Sequence, residues 1–152
     1  SLSGLQQARY LRWLDASCND LKNLSGVGHM EALEWVDLSD NDLPNLQGLR
    51  ICPNVTFLNL HHNDLKDISG IEYMPNLRWL NLASNDLTSA KGLERCSQLI
   101  ELDLNFNNLG DAAIPSIVNL ARHLPYLRVL HLGNNKFTSD GCNRIAREFA
   151  AI

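Results

Sequence analysis

Apolar residues hold the first, fourth, sixth and eleventh places of an 11-residue segment that recurs along this chain. It reads LRWLDASCNDL from Leu11, LEWVDLSDNDL from Leu33, VTFLNLHHNDL from Val55, LRWLNLASNDL from Leu77 and LIELDLNFNNL from Leu99, spaced 22 residues apart. A sixth copy, LRVLHLGNNKF from Leu127, follows after 28. A fixed period of this length predicts a solenoid whose units bury their apolar faces only against one another. The middle of each copy alternates, as in Trp79-Leu80-Asn81-Leu82-Ala83, the pattern of a half-buried strand. Leu80 and Leu82 are expected to point inward, with Trp79, Asn81 and Ala83 on the opposite face. Because the segment recurs in one sequence direction, the strands should stack in parallel into one sheet.

The ninth place of every copy is asparagine: Asn19, Asn41, Asn63, Asn85, Asn107 and Asn135. After each strand the chain must turn, leaving amides and carbonyls without ladder partners. An asparagine side chain offers donor and acceptor together, so a column of six predicts a ladder joining one unit to the next. Gly4, Gly26, Gly48, Gly70 and Gly92 also repeat at 22 and predict a bend or a close approach to the neighbouring unit. About a dozen residues then lead to the next strand, enough for a turn or one 3₁₀ turn. The longer unit departs from this. Ile117, Leu120, Ala121 and Leu124 follow helical spacing up to Pro125, and Cys142, Ile145, Ala146 and Phe149 do so again, with Thr138 or Ser139 as N-cap.

The predicted fold is an α/β solenoid: a right-handed arc with a parallel concave sheet, turns or 3₁₀ segments on the convex side, and α-helices in the last two units. It forms one domain over 1–152, with a partial repeat at 1–10, full repeats starting at 11, 33, 55, 77 and 99, and a C-terminal repeat and capping helix at 127–152. The chain opens in the middle of a unit, so a fragment of a longer protein is expected. An edge-to-edge dimer through the uncapped N-terminal end is the alternative.

Composition narrows the function. A formal charge of −4 argues against a phosphate-binding surface, so no nucleic-acid partner is expected. No apolar run reaches the roughly 20 residues of a membrane span. Cys52 and Cys96 share the repeat slot of Ala8, Met30 and Met74 and read as core residues, while Cys18 and Cys142 lie far apart. Four cysteines without a framework point to a reducing, intracellular compartment, cytoplasmic first, with nuclear, centrosomal or ciliary placement open.

The outward strand positions form columns. The third place runs Trp13, Trp35, Phe57, Trp79, Glu101, Val129; the fifth runs Asp15, Asp37, Asn59, Asn81, Asp103, His131; the seventh runs Ser17, Ser39, His61, Ala83, Asn105, Gly133. Four aromatics spanning about 15 Å beside an acidic strip predict either cross-strand stacking or a protein-binding surface, and both can hold together. The expected ligand is a protein or peptide with apolar groups for the rings and Lys or Arg for Asp15, Asp37, Glu101 and Asp103, carried on an amphipathic helix or an extended segment. Trp35→Ala and Trp79→Ala are expected to abolish capture while leaving thermal unfolding nearly unchanged. Ser39, His61 and Asp37 make a remote hydrolase alternative, which lacks an oxyanion hole or enclosed pocket. No catalytic residue, metal or cofactor is assigned: His61 and His62 diverge in an extended segment, and Asp20, Asp42, Asp64 and Asp86 read as a solvated edge.

These segments resemble the leucine-rich-repeat pattern LxxLxLxxNxL over essentially the whole chain. The 22-residue units with LSGL, LSGV, LQGL, ISGI and AKGL are similar to a short intracellular subclass that includes the regulatory leucine-rich subunit of protein phosphatase 1; bacterial internalins share the length. The 28-residue unit and last helix resemble ribonuclease-inhibitor-type repeats. The resemblance implies a scaffold that binds other proteins through its concave sheet. A structural spacer within a larger intracellular protein is the other reading.

Overall fold

The computed structural model describes residues 2–49 and 52–151, so the ends of the predicted span, Ser1 and Ile152, lie outside the described residues. Six strands form one parallel sheet in sequence order: β1 (Trp13–Asp15), β2 (Trp35–Asp37), β3 (Phe57–Asn59), β4 (Trp79–Asn81), β5 (Glu101–Asp103) and β6 (Val129–His131). The register carries the repeat unbroken, with Trp13 opposite Trp35, Trp35 opposite Phe57 and Phe57 opposite Trp79. Each strand is only three residues long because the fourth-place and sixth-place residues dive into the core and the chain then turns. Val36, Leu38, Leu58, Leu60, Leu80, Leu82, Leu102 and Leu104 are all buried. The last strand differs: Leu130 and Leu132 are only partly buried, since among the described residues no further strand pairs with β6.

The asparagine ladder is present and links neighbouring units. Asn63 shows the pattern: its Nδ2 donates to Leu38 O of the preceding repeat at 3.0 Å and to Leu60 O in its own, while its Oδ1 accepts from Leu43 N at 3.0 Å. Asn41, Asn85, Asn107 and Asn135 repeat it, each taking a backbone N–H from the unit before. Asn19 is exposed and donates only within its own turn, to Ala16 O and Ser17 O.

On the other side, 3₁₀ turns form at Leu5–Gln7, Ile71–Tyr73 and Leu93–Arg95. Gly4, Gly70 and Gly92 ahead of them enter at positive φ, as do Gly26 and Gly48 of the other repeats, and these last two also meet a neighbour's backbone. A β-carbon on Gly26 would lie 2.4 Å from Leu2 O, and one on Gly48 (φ +114°) 2.5 Å from Leu24 O.

The extra six residues of the long unit make a helix, α1 (Ile114–His123), with Pro115 in its first turn and Ile114, Ile117, Val118 and Leu120 buried. A second helix, α2 (Ser139–Ala150), is capped by Thr138, whose Oγ1 accepts from Gly141 N at 3.1 Å. Its buried stripe differs from the predicted one. Gly141 and Ile145 are buried and Phe149 partly so, whereas Cys142 and Ala146 are exposed. The physical reason is Gly141, whose bare backbone sits against Asp111 and Ile114 and rotates the helix by one position. Arg122 of α1 pairs with Glu148 of α2 at 3.4 Å. No helix of the described residues is long and apolar enough to cross a membrane.

Candidate protein-interaction face

The third-place aromatics form a stacked column. Ring centroids lie 5.5 Å apart for Trp13–Trp35, 4.9 Å for Trp35–Phe57 and 4.2 Å for Phe57–Trp79, with interplanar angles of 25°, 10° and 1°. In-register parallel strands about 4.8 Å apart dictate this, because the same rotamer on each strand lays ring on ring. The faces of the inner rings therefore cover one another. Trp35, Phe57 and Trp79 are half-buried, while Trp13, with one neighbour, is 69% exposed. The expectation of unchanged unfolding for Trp35→Ala does not fit this geometry. That substitution breaks two stacks, each of which stabilises by about 0.5–1.5 kcal/mol.

The fifth-place column has an unforeseen local role. Asp15, Asp37, Asn59, Asn81 and Asp103 each accept, through Oδ1, the N–H of the residue two positions on, at 2.8–3.2 Å. These Asx turns close the strand ends. Ser17 and Ser39 add hydroxyl donors at 2.7 and 2.6 Å to the same oxygens of Asp15 and Asp37. The Ser17 hydroxyl and then its amide hold the Asp15 carboxyl below the ordinary value of 3.8. Asp37 is the most committed of the strip, because its Oδ2 also accepts from Asn59 Nδ2 at 3.0 Å. Asp15 and His131 are exposed; Glu101 and Asp103 are half-buried.

The seventh place is less open than the alternation predicts. Ser39 and Ala83 are buried, at 7% and 4% exposure, because they are short and flanked one strand away by the longer His61 and Asn105. The Ser39 hydroxyl proton goes to Asp37 and not to the His61 imidazole, so the serine–histidine pair is not assembled. His62 contacts Asp40 at 2.6 Å on the exposed turn. Among the described residues no group of three or more His, Cys, Asp or Glu is arranged to hold a metal ion.

Two regular features escaped the reading of the chain. The eighth place (Cys18, Asp40, His62, Ser84, Phe106 and Asn134) adopts positive φ of 53–57° in every repeat, without a glycine. From the second repeat on, the asparagine that follows, bonded to backbone of its own and the preceding unit, holds the turn there. The second place also forms a column, in which Arg12 grips Glu34 through contacts of 2.6–3.0 Å.

Two family profiles match: leucine-rich repeats in two copies over residues 75–116, and a single leucine-rich repeat over residues 123–146. The chain carries leucine-rich repeats. Among solved structures, this leucine-rich-repeat chain is similar to internalin C2 of Listeria monocytogenes str. 4b F2365, with 23% identity and a TM-score of 0.71 over 90% of this chain and 67% of that one. An internalin (inlF) from the same strain is 21% identical, with a TM-score of 0.65 over 99% and 49% of the two chains. The chain of a TLR13–ssRNA13 complex is 26% identical, with a TM-score of 0.76 over 90% and 21%. The leucine-rich-repeat chain thus spans about half of one internalin and about a fifth of the TLR13 chain. No curated protein sequence matches it. Neither profile singles out the phosphatase-1 regulatory subunit.

Proposed function

We propose that this leucine-rich-repeat chain is a non-enzymatic interaction scaffold that binds a protein or peptide through the outward face of its sheet. Leucine-rich-repeat proteins generally act in protein–protein interaction. The observation that carries the finer reading is the in-register aromatic stack, which leaves Trp13 open at its end beside the exposed Asp15. Trp is enriched at binding hot spots, and a carboxylate next to it selects a basic, apolar ligand over an acidic one. Glu101 and Asp103 extend the acidic border at the far end of the stack. A nucleic-acid ligand, as in the TLR13 complex, is opposed by this border and by the formal charge of −4. A reducing compartment is supported by four free cysteines.

Affinity capture from lysate with wild type, Trp13→Ala and Asp103→Lys in parallel tests the proposal. A set of proteins held by wild type and lost from both variants is the expected outcome. Retention of the same set by all three favours the spacer reading. Activated-ester turnover abolished by His61→Ala would instead restore the hydrolase.

A further inference from the structure

The second-place column ends in a cationic pocket that the aromatic face does not use. Ile100 N donates to Arg78 O and Arg128 N to Ile100 O, both at 2.8 Å, so Arg78, Ile100 and Arg128 stand side by side at the entries of β4, β5 and β6. At the column's other end Glu34 neutralises Arg12. Arg78 and Arg128 have no such partner: among the described residues neither has a carboxylate within 4.0 Å. The reason is in the repeats themselves, since Arg78 is flanked in this column by Thr56 and Ile100. Arg128 donates instead to the carbonyls of Pro125 and Leu127, both at 3.2 Å, which fixes its guanidinium. Between the two arginines lies Ile100, 42% exposed; with Gln98 and Tyr126, 52% exposed, they line an open cavity of about 400 Å³.

Two guanidinium groups without a carboxylate partner in a chain of net negative charge, set beside an aliphatic and an aromatic side chain, define a ligand of opposite chemistry to that of the aromatic face. Guanidinium matches carboxylate geometry, and Arg and Tyr are both enriched at hot spots. A bare phosphate would satisfy the cations but place nothing on Ile100 or Tyr126, whereas a peptide supplies both parts. We infer that this pocket docks an acidic segment of a partner protein, its carboxylates on Arg78 and Arg128 and an apolar side chain against Ile100 and Tyr126.

An array of short peptides in which Glu or Asp flanks one apolar residue, probed with the whole chain, tests this. Its controls are the same peptides with Gln or Asn, and inorganic phosphate as competitor. The acidic peptides should bind wild type, and Arg78→Gln or Arg128→Gln should each weaken them about tenfold, the loss of one charged contact. Ile100→Ser and Tyr126→Ser should weaken them as well, while Arg12→Gln leaves binding unchanged. All these side chains are largely exposed, so thermal unfolding should stay near wild type. Failure of every acidic peptide, equal binding by the amide controls, or binding untouched by the double Arg78→Gln/Arg128→Gln change would overturn the inference. Displacement by phosphate with no dependence on Ile100 would do so too, leaving only a simple anion contact. None of these residues belongs to the aromatic face, so capture through Trp13 and Asp103 stands or falls separately.

Discussion

Each buried asparagine of the ladder serves two repeats at once. Removing Asn63 leaves Leu43 N–H without a partner inside the stack and Leu38 C=O with only Asn41 Nδ2, and an unsatisfied buried group costs about 1–3 kcal/mol. Asn63→Ala should therefore destabilise by about 2–3 kcal/mol in urea unfolding. Asn19→Ala, at an exposed turn, should cost less than about 1 kcal/mol. Equal losses at the two sites would show that the inter-repeat bonds contribute nothing. The cysteines divide by burial in the same way. Burial, then the nearby charges of Glu72 and Glu94, push the Cys96 thiol up to about 12, and burial also raises that of Cys52. In native protein at neutral pH a thiol reagent should label Cys18 and Cys142, and reach Cys52 and Cys96 only after unfolding. The folded pKa of Cys96 lies above the unfolded value of 9.0. The neutral thiol's contribution to stability is thus complete below pH 9 and lost as pH rises toward about 12.

At the level of elements, the last helix is held by one carboxylate. Asp111 Oδ1 accepts from Thr138 N at 2.9 Å and Oδ2 from Thr138 Oγ1 at 2.5 Å, while Thr138 in turn caps α2. The Thr138 hydroxyl and then its amide hold the Asp111 carboxyl below 3.8. Because the folded value is the lower one, this stabilisation is present above pH 3.8 and lost as pH falls through the folded pKa. Hydrogen exchange followed from neutral to acid pH should show 139–150 opening before the strands. Asp111→Asn should remove most of that acid sensitivity; an unchanged profile would separate α2 from this carboxylate. Gly141 belongs to the same joint: a β-carbon there would lie 2.2 Å from Asp111 Oδ1. That contact explains why the helix buries Gly141, Ile145 and Phe149 and not the stripe through Cys142 that apolar spacing alone suggests.

Over the whole molecule, contacts run from each repeat to its neighbours, so stability is a sum along a line. All three tryptophans lie in the first four strands and report only on that part. Leu58→Ala, in a fully buried central position, should shift the tryptophan-detected transition by about 2–5 kcal/mol. Leu130→Ala, on the half-covered last strand, should raise exchange in 127–151 and leave that transition nearly unmoved. Equal shifts from the two substitutions would mean the chain unfolds as one block. Charge is also distributed along the line. The acidic strip borders the aromatic stack, and the arginines that lack a carboxylate stand at the entries of β4 and β6.

Apolar spacing determined the strands, their parallel order, the asparagine ladder, the core cysteines and the place of both helices. Each is set within one repeat and copied to the next, so period alone carries it. The outward columns were also legible as columns. What they do was decided between repeats. Ring-on-ring stacking depends on rotamers shared across strands, the Asx turns occupy carboxylate oxygens that a list of charges counts as open, and the burial of Ser39 and Ala83 reflects the size of their neighbours. The pairing of Arg12 with Glu34, against the lack of a carboxylate beside Arg78 and Arg128, likewise depends on which residue stands one strand away. Local pattern places a side chain on a face; only the stacked neighbours determine whether its faces, charges and hydrogen-bonding atoms remain available to a partner.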